Sequence, residues 1–95
     1  MRGGWVYILA NRYRGTIYVG VTADVQARIW KHRNDPEGFV ARYKLRMLVH
    51  VENFPTIEEA IAREKMLKKW RREWKIDLIE QANPKWEDLF ETINA

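Results

Sequence analysis

The sequence predicts an α+β fold, a three-stranded and mainly antiparallel sheet flanked by helices, and three observations carry that expectation. WVYILA and TIYVGV alternate their side chains with period two on either side of a polar, glycine-bearing turn, as the arms of a hairpin do. ADVQARIWKHR spaces Val25 and Ile29 as a helix does. Thr56, followed three residues later by Glu59, is a capping box at the head of a further helix.

Taken in order, the first strand sets Trp5, Tyr7 and Leu9 on one face and Val6, Ile8 and Ala10 on the other; the second sets Thr16, Tyr18 and Gly20 against Ile17, Val19 and Val21. A four-residue loop, Asn11 to Arg14, closed by Ala10 and Gly15, puts Tyr7 directly opposite Tyr18. A helix is expected from about Ala23 to Asn34, with Asp24 at the positive end of its dipole. Arg28 and His32, four residues apart, share one of its faces. NDPEG breaks that helix, and a third strand follows from Lys44 to about Asn53.

The helix that begins at Ile57 carries an apolar stripe of Ile57, Ala60, Ile61 and Leu67, with Glu64 in its gap. A carboxylate there needs a partner or a function. Helical character continues through the basic stretch, breaks near Arg72 to Trp74 and ends around Gln81. Asn83-Pro84 then introduces a last short helix, Lys85 to about Thr92.

Length and composition frame these elements. The 95 residues suit a single domain spanning 1–95, able to bury roughly 60 to 65% of its unfolded surface without disulfides or metals. A hydrophobic fraction of 46% and an aromatic fraction of 13% are those of a folded chain. The absence of cysteine excludes disulfides, cysteine-ligated zinc and a thiol nucleophile, and is compatible with a reducing compartment. The apolar run Trp5 to Ala10 is too short for a signal-peptide core or a membrane span, so a soluble, cytoplasmic protein without membrane contact is expected.

The net charge of +4 is unevenly distributed: Arg63 to Lys75 holds seven Lys/Arg against Glu64 and Glu73, while the segment after Ile76 is acidic. A solvated helix face explains such a run as readily as a binding surface does. Interleaved with Trp70 and Trp74, however, Lys65, Lys68, Lys69 and Arg72 also form a surface suited to a phosphate backbone and stacked bases.

Two facing tyrosines, an Arg and a His one turn apart, and a carboxylate inside an apolar stripe each have an ordinary structural explanation alone. Together they form a pattern. VYI followed by YVG, then Arg28, His32 and the helical Glu64, resembles the GIY-YIG nuclease superfamily over essentially the whole chain. AREKMLKKW and NPKWEDL look like its small, stand-alone bacterial members. Trp5-Val6-Tyr7 stands where the family has Gly-Ile-Tyr, and Tyr18-Val19-Gly20 where it has Tyr-Ile-Gly. Both tyrosines and the second motif's glycine remain.

The resemblance implies divalent-metal-dependent hydrolysis of DNA phosphodiester bonds, with Glu64 as the sole direct protein ligand of one Mg²⁺, or Mn²⁺ in its place. It implies Tyr7 as general base on the attacking water, assisted by His32, Tyr18 as the residue orienting the phosphate, and Arg28 as the ligand of the scissile phosphate. Gly20 allows close approach to the tyrosine face, and Asn83 is the nearest match to a supporting asparagine of the family. A free phenol, with a pKa of about 10, is only roughly 0.1% ionised at neutral pH, so Tyr7 needs help.

Single-stranded or branched DNA is the expected substrate, because a small domain with stacking aromatics lacks an obvious duplex-reading element. A recruiting protein could dock on the Trp-bearing helix or the acidic C-terminus. The alternative is a nucleic-acid-binding or partner-docking module on the same fold without turnover. DNA repair, defence and control of DNA uptake are equally open settings.

Overall fold

The computed structural model describes residues 3–93. Strand β1 (Gly4–Ala10) lies at the centre of the sheet, flanked by β2 (Ile17–Thr22) and β3 (Met47–Phe54) in the order β2-β1-β3, with both pairings antiparallel. Helices α1 (Val25–Asn34) and α2 (Gly38–Tyr43) precede β3, and α3 (Ile57–Lys69), α4 (Arg72–Ala82) and α5 (Phe90–Ile93) follow it. The α+β architecture is the expected one.

The alternation in β1 divides the core between the two faces of the sheet. Val6, Ile8 and Ala10 pack with Val19, Val49, Ala60, Leu67, Ile79 and Trp86, beneath α3 and α4. Tyr7 and Leu9 pack with Val25, Ile29, Val40, Leu45 and Leu48, beneath α1 and α2. Every β1 side chain from Val6 to Ala10 is fully buried, which Val6, Ile8 and Leu9 each turn into about 1.5–3 kcal/mol of stabilisation.

Two helix starts follow local chemistry. Asp24 accepts from the Ala27 amide at 3.1 Å and caps α1, and the Thr56 hydroxyl accepts from the Glu59 amide at 3.2 Å and caps α3. A bulge between Ile8 and Leu9 shifts the pairing of β1 with β3. The segment after α4 covers the outer edge of β3: Leu89 donates its amide to Leu48 at 2.7 Å, and Asp88 accepts from the Leu48 amide at 3.1 Å. An open sheet edge is thereby closed.

Several expectations are corrected. The hairpin loop is longer than four residues, because the Asn11 side chain folds back to accept from the Thr16 amide at 3.0 Å and β2 starts only at Ile17. Tyr7 therefore pairs with Gly20 and Leu9 with Tyr18, so the two tyrosines share a face diagonally instead of directly opposite each other. Residues 38–43 form a helix where none was expected. Gly38 enters it at a φ of +57°, a conformation that favours glycine. The strand expected from Lys44 starts at Met47, the α3–α4 break falls at Trp70 and Arg71, and Ile61 is exposed instead of completing the apolar stripe. The last helix is confined to Phe90–Ile93, because Asn83 to Leu89 is held along β3.

Candidate active site

The site lies toward the β2 edge of the sheet, and Gly20 is the reason Tyr7 reaches it. A Cβ on Gly20 would come within 2.4 Å of both Cζ and the hydroxyl of Tyr7. The phenol therefore leans directly over the β2 backbone, and no side chain larger than hydrogen fits beneath it. From there Tyr7 Oη meets His32 Nε2 at 2.9 Å. Tyr18 completes the cluster, with its ring centroid 6.4 Å from Tyr7 and 6.0 Å from His32.

The electrostatics of this group follow from its burial. Burial and then the neighbouring Tyr18 push the Tyr7 phenol up to about 12, against the pull of Arg28, which acts on the same hydroxyl. Burial, then the charges of Arg28 and Lys31, lower His32 from its ordinary value. At neutral pH a protonated phenol thus faces an uncharged imidazole, an arrangement in which one proton can pass between them. Arg28 is exposed, so its guanidinium is available to an anion.

Glu64 approaches from the opposite side on α3. Its residue is 9% exposed, yet its carboxylate acts on Tyr7 and pairs with Lys68 Nζ at 2.6 Å. The same lysine lies 5.8 Å from the centre of the Tyr18 ring. Among the described residues no group of three or more His, Cys, Asp or Glu side chains could hold a metal ion. A cation at Glu64 would thus have fewer than three such side chains as ligands and keep several waters, as Mg²⁺ does and a structural Zn²⁺ does not. The buried Glu64 carboxylate has the oxygen-donor chemistry for that role.

The structure brings Tyr7, Tyr18, Gly20, Arg28, His32, Glu64 and Lys68 together from β1, β2, α1 and α3. Lys65 and Lys69 are exposed on α3. Trp70 is half-buried, with Arg63 over its ring and Trp74 edge-on at 6.2 Å. Two residues expected to bind substrate have other partners. The Arg72 guanidinium donates to the Arg14 and Gly15 carbonyls at 2.7 and 2.6 Å, tying the hairpin loop to α4. Asn83 is buried: its amide donates to the Val49 and Glu87 carbonyls and accepts from the Glu87 amide, holding the C-terminal segment to β3.

Phe39 is the addition that sequence reasoning missed. Its ring lies 6.1 Å from Tyr18 and 4.6 Å from Tyr43, extending the aromatic track out of the site along α2, where both residues are exposed. A helix of six residues is too short to show a periodicity, so only the bare run of aromatic residues could have pointed to it.

Comparison with known proteins gives the family. The GIY-YIG catalytic domain model matches residues 3–77. Among curated relatives, the UPF0213 protein of Staphylococcus epidermidis is 38% identical over 71 residues, covering 70% of this chain and 83% of that protein. The UPF0213 protein of Staphylococcus saprophyticus is 37% identical over 81 residues, covering 81% and 94% respectively. The UPF0213 protein of Staphylococcus aureus is 38% identical over 71 residues, covering 70% and 83%. No solved structure matches significantly. Among the described residues no helix is long and apolar enough to cross a membrane. A family match over most of the chain, with both motif tyrosines and Glu64 converging on one site, shows that the chain belongs to the GIY-YIG catalytic-domain family of nucleases.

Proposed function

We propose that this chain is a divalent-metal-dependent endonuclease hydrolysing DNA phosphodiester bonds, with Mg²⁺, or Mn²⁺ in its place, held by Glu64. The observation that carries the reading is the 2.9 Å part-buried contact between Tyr7 Oη and His32 Nε2, with Arg28 and Glu64 acting on the same phenol. With a pKa of about 12, Tyr7 is ionised only to the order of one part in 10⁵ at pH 7. A preformed phenolate is therefore too scarce to serve as the base. Tyr7 acts instead by accepting a proton from the attacking water as its own passes to His32, whose lowered pKa keeps it unprotonated at neutral pH.

Arg28, exposed on the same helix face, binds the scissile phosphate and stabilises the charge that develops there. Tyr18 orients that phosphate from the neighbouring strand. Glu64 is the residue that would hold the divalent cation, which would supply positive charge toward the departing oxygen when bound. Lys65, Lys68 and Lys69 on α3 form the adjoining basic face for the DNA backbone. The exposed track of Phe39 and Tyr43 beyond Tyr18 supports unpaired bases as the preferred substrate, since stacking faces bind them without reading sequence. The exposed Trp74 on α4 offers a docking point for a recruiting protein, and the cytoplasm is the proposed location.

One observation favours the alternative of a binding module without turnover: the Glu64 carboxylate is already paired with Lys68. Cleavage of single-stranded, duplex and forked DNA with added Mg²⁺ or Mn²⁺ separates the two readings. Wild-type cleavage that disappears in Glu64→Ala and with chelator supports the nuclease. DNA binding with no cleavage above the Glu64→Ala level supports the module.

A further inference from the structure

Next to the candidate active site lies a cavity that shares His32 with it and whose other lining residues the proposed reaction does not use. It occupies about 310 Å³ between α1, α2 and the start of β3, at the small end of ligand-binding cavities. His32, Arg33, Lys44 and Arg46 line it together with the apolar Pro36 and Val40, and its lining holds no carboxylate. His32 is common to both sites, since the same ring that meets Tyr7 forms part of this wall.

Arg33 is the informative residue. Its side chain is 23% exposed, it pairs through Nη2 with Asp88, and its guanidinium lies 4.4 Å over the Phe90 ring. Its Nε is buried with no hydrogen-bond partner. A guanidinium N–H without an acceptor is rare in a folded protein. Arg46 adds to the imbalance: burial and then its charge lower the pKa of Arg33, with Glu91 acting in opposition. Asp88 answers one of the three full cations around the cavity. An anion with several acceptor oxygens would satisfy the rest, and a guanidinium fork matches phosphate oxygens in particular.

We propose that this cavity binds a phosphate group of the nucleic-acid strand, separate from the scissile phosphate, through Arg33, Lys44 and Arg46. The phosphate chemistry follows from the cavity itself; its assignment to a nucleic-acid strand rests on the nuclease reading. Because His32 borders both sites, a strand held here lies next to the Tyr7–His32 pair and fixes the register in which the scissile bond is presented. The group is either an internal phosphodiester or a terminal phosphomonoester, and both use the same donors.

The test is binding of a short fluorescent oligodeoxynucleotide, with and without a 5′-phosphate, followed by anisotropy in metal-free buffer so that nothing turns over. Arg46 and Lys44 are exposed, so Arg46→Gln and Lys44→Asn should fold, and melting curves check each variant. Asparagine suits the left-handed backbone of Lys44, at a φ of 56°. Each substitution should weaken binding about 3- to 10-fold and lower the salt slope by about one. Arg42→Gln, an exposed cation on α2 outside the cavity, should cost less than about twofold, as a purely screened charge does.

Loss with both oligonucleotides assigns the site to internal phosphodiesters, and loss confined to the 5′-phosphorylated one assigns it to a strand end; either supports the proposal. No loss in the cavity variants, or a loss equal to that of Arg42→Gln, overturns it. Because the measurement needs no cleavage, its failure is distinct from that of the nuclease reading, which Glu64-dependent cleavage decides.

Discussion

Tyr7 and His32, 25 residues apart in sequence, share a hydrogen bond of 2.9 Å between the phenol oxygen and Nε2. The contact joins the central strand to α1 across the face of the sheet, and it couples a phenol raised to about 12 with an imidazole lowered from 6.5. If His32 is the proton's destination, activity requires it neutral. Cleavage rate should therefore fall as pH drops through the lowered pKa of His32, placing the acid limb of the pH–rate profile below 6.5. His32→Ala should lose about 10²–10⁴ in rate and that limb together, and Tyr7→Phe a comparable factor in rate. Single-turnover rates across pH provide the measurement; an unchanged acid limb in His32→Ala would remove His32 from the proton path.

Gly20→Ala tests the position of Tyr7 without touching its chemistry. The new Cβ would lie 2.4 Å from Tyr7 Cζ and Oη, closer than any real contact, so the phenol must leave His32 or the strands must part. Such overpacking costs about 1–3 kcal/mol of stability. The variant should remain folded with a lowered Tm, and cleavage should fall at least tenfold because the 2.9 Å contact is lost. Retained cleavage at wild-type rate would show that the Tyr7–His32 contact is dispensable.

The same glycine shows how far the sequence could be read. Period-two alternation found both strands of the hairpin, and the capping box found α3, because these signals are local. Register was not local: the Asn11 side chain's hydrogen bond to the Thr16 amide lengthens the loop, and a shift in pairing moves Tyr18 opposite Leu9. Tyr7, Arg28, His32 and Glu64 were legible as a set through the family motif. Asn83 and Arg72 were not separable from substrate contacts by residue type, since an amide or guanidinium that closes a sheet edge or caps a loop looks the same in sequence. The basic cavity draws Arg33 from α1 and Lys44 and Arg46 from the junction of α2 with β3, and no spacing rule connects them.

Lys68 occupies the carboxylate proposed to hold the metal. Its ammonium lies 2.6 Å from the Glu64 carboxylate on the next turn of α3, so a divalent metal bound at Glu64, as proposed, would have to displace it. Lys68→Met keeps much of the aliphatic stem and removes the competing charge. The Mg²⁺ concentration for half-maximal cleavage should fall several-fold in this variant, while DNA affinity weakens modestly through loss of one backbone contact. A midpoint that rises instead would mean that Lys68 supports the metal site.

Acid stability should depend on a second carboxylate, far from the proposed chemistry. Burial alone would raise the pKa of Glu52, but His50 at 2.9 Å and Arg63, through two contacts at 2.9 and 3.1 Å, hold it at about 2 instead of 4.5. These bonds tie β3 to α3, the helix that carries Glu64. A depressed carboxyl stabilises the fold fully above its ordinary value, and that contribution is lost as pH falls from about 4.5 toward 2. With the side chain 18% exposed, solvent screening leaves on the order of 2 kcal/mol at neutral pH. Glu52→Gln should therefore lower Tm at pH 7 and flatten its dependence on pH between about 2 and 4.5. Thermal unfolding of both proteins across that range is the measurement, and parallel curves would show that the ion pair contributes nothing to acid sensitivity.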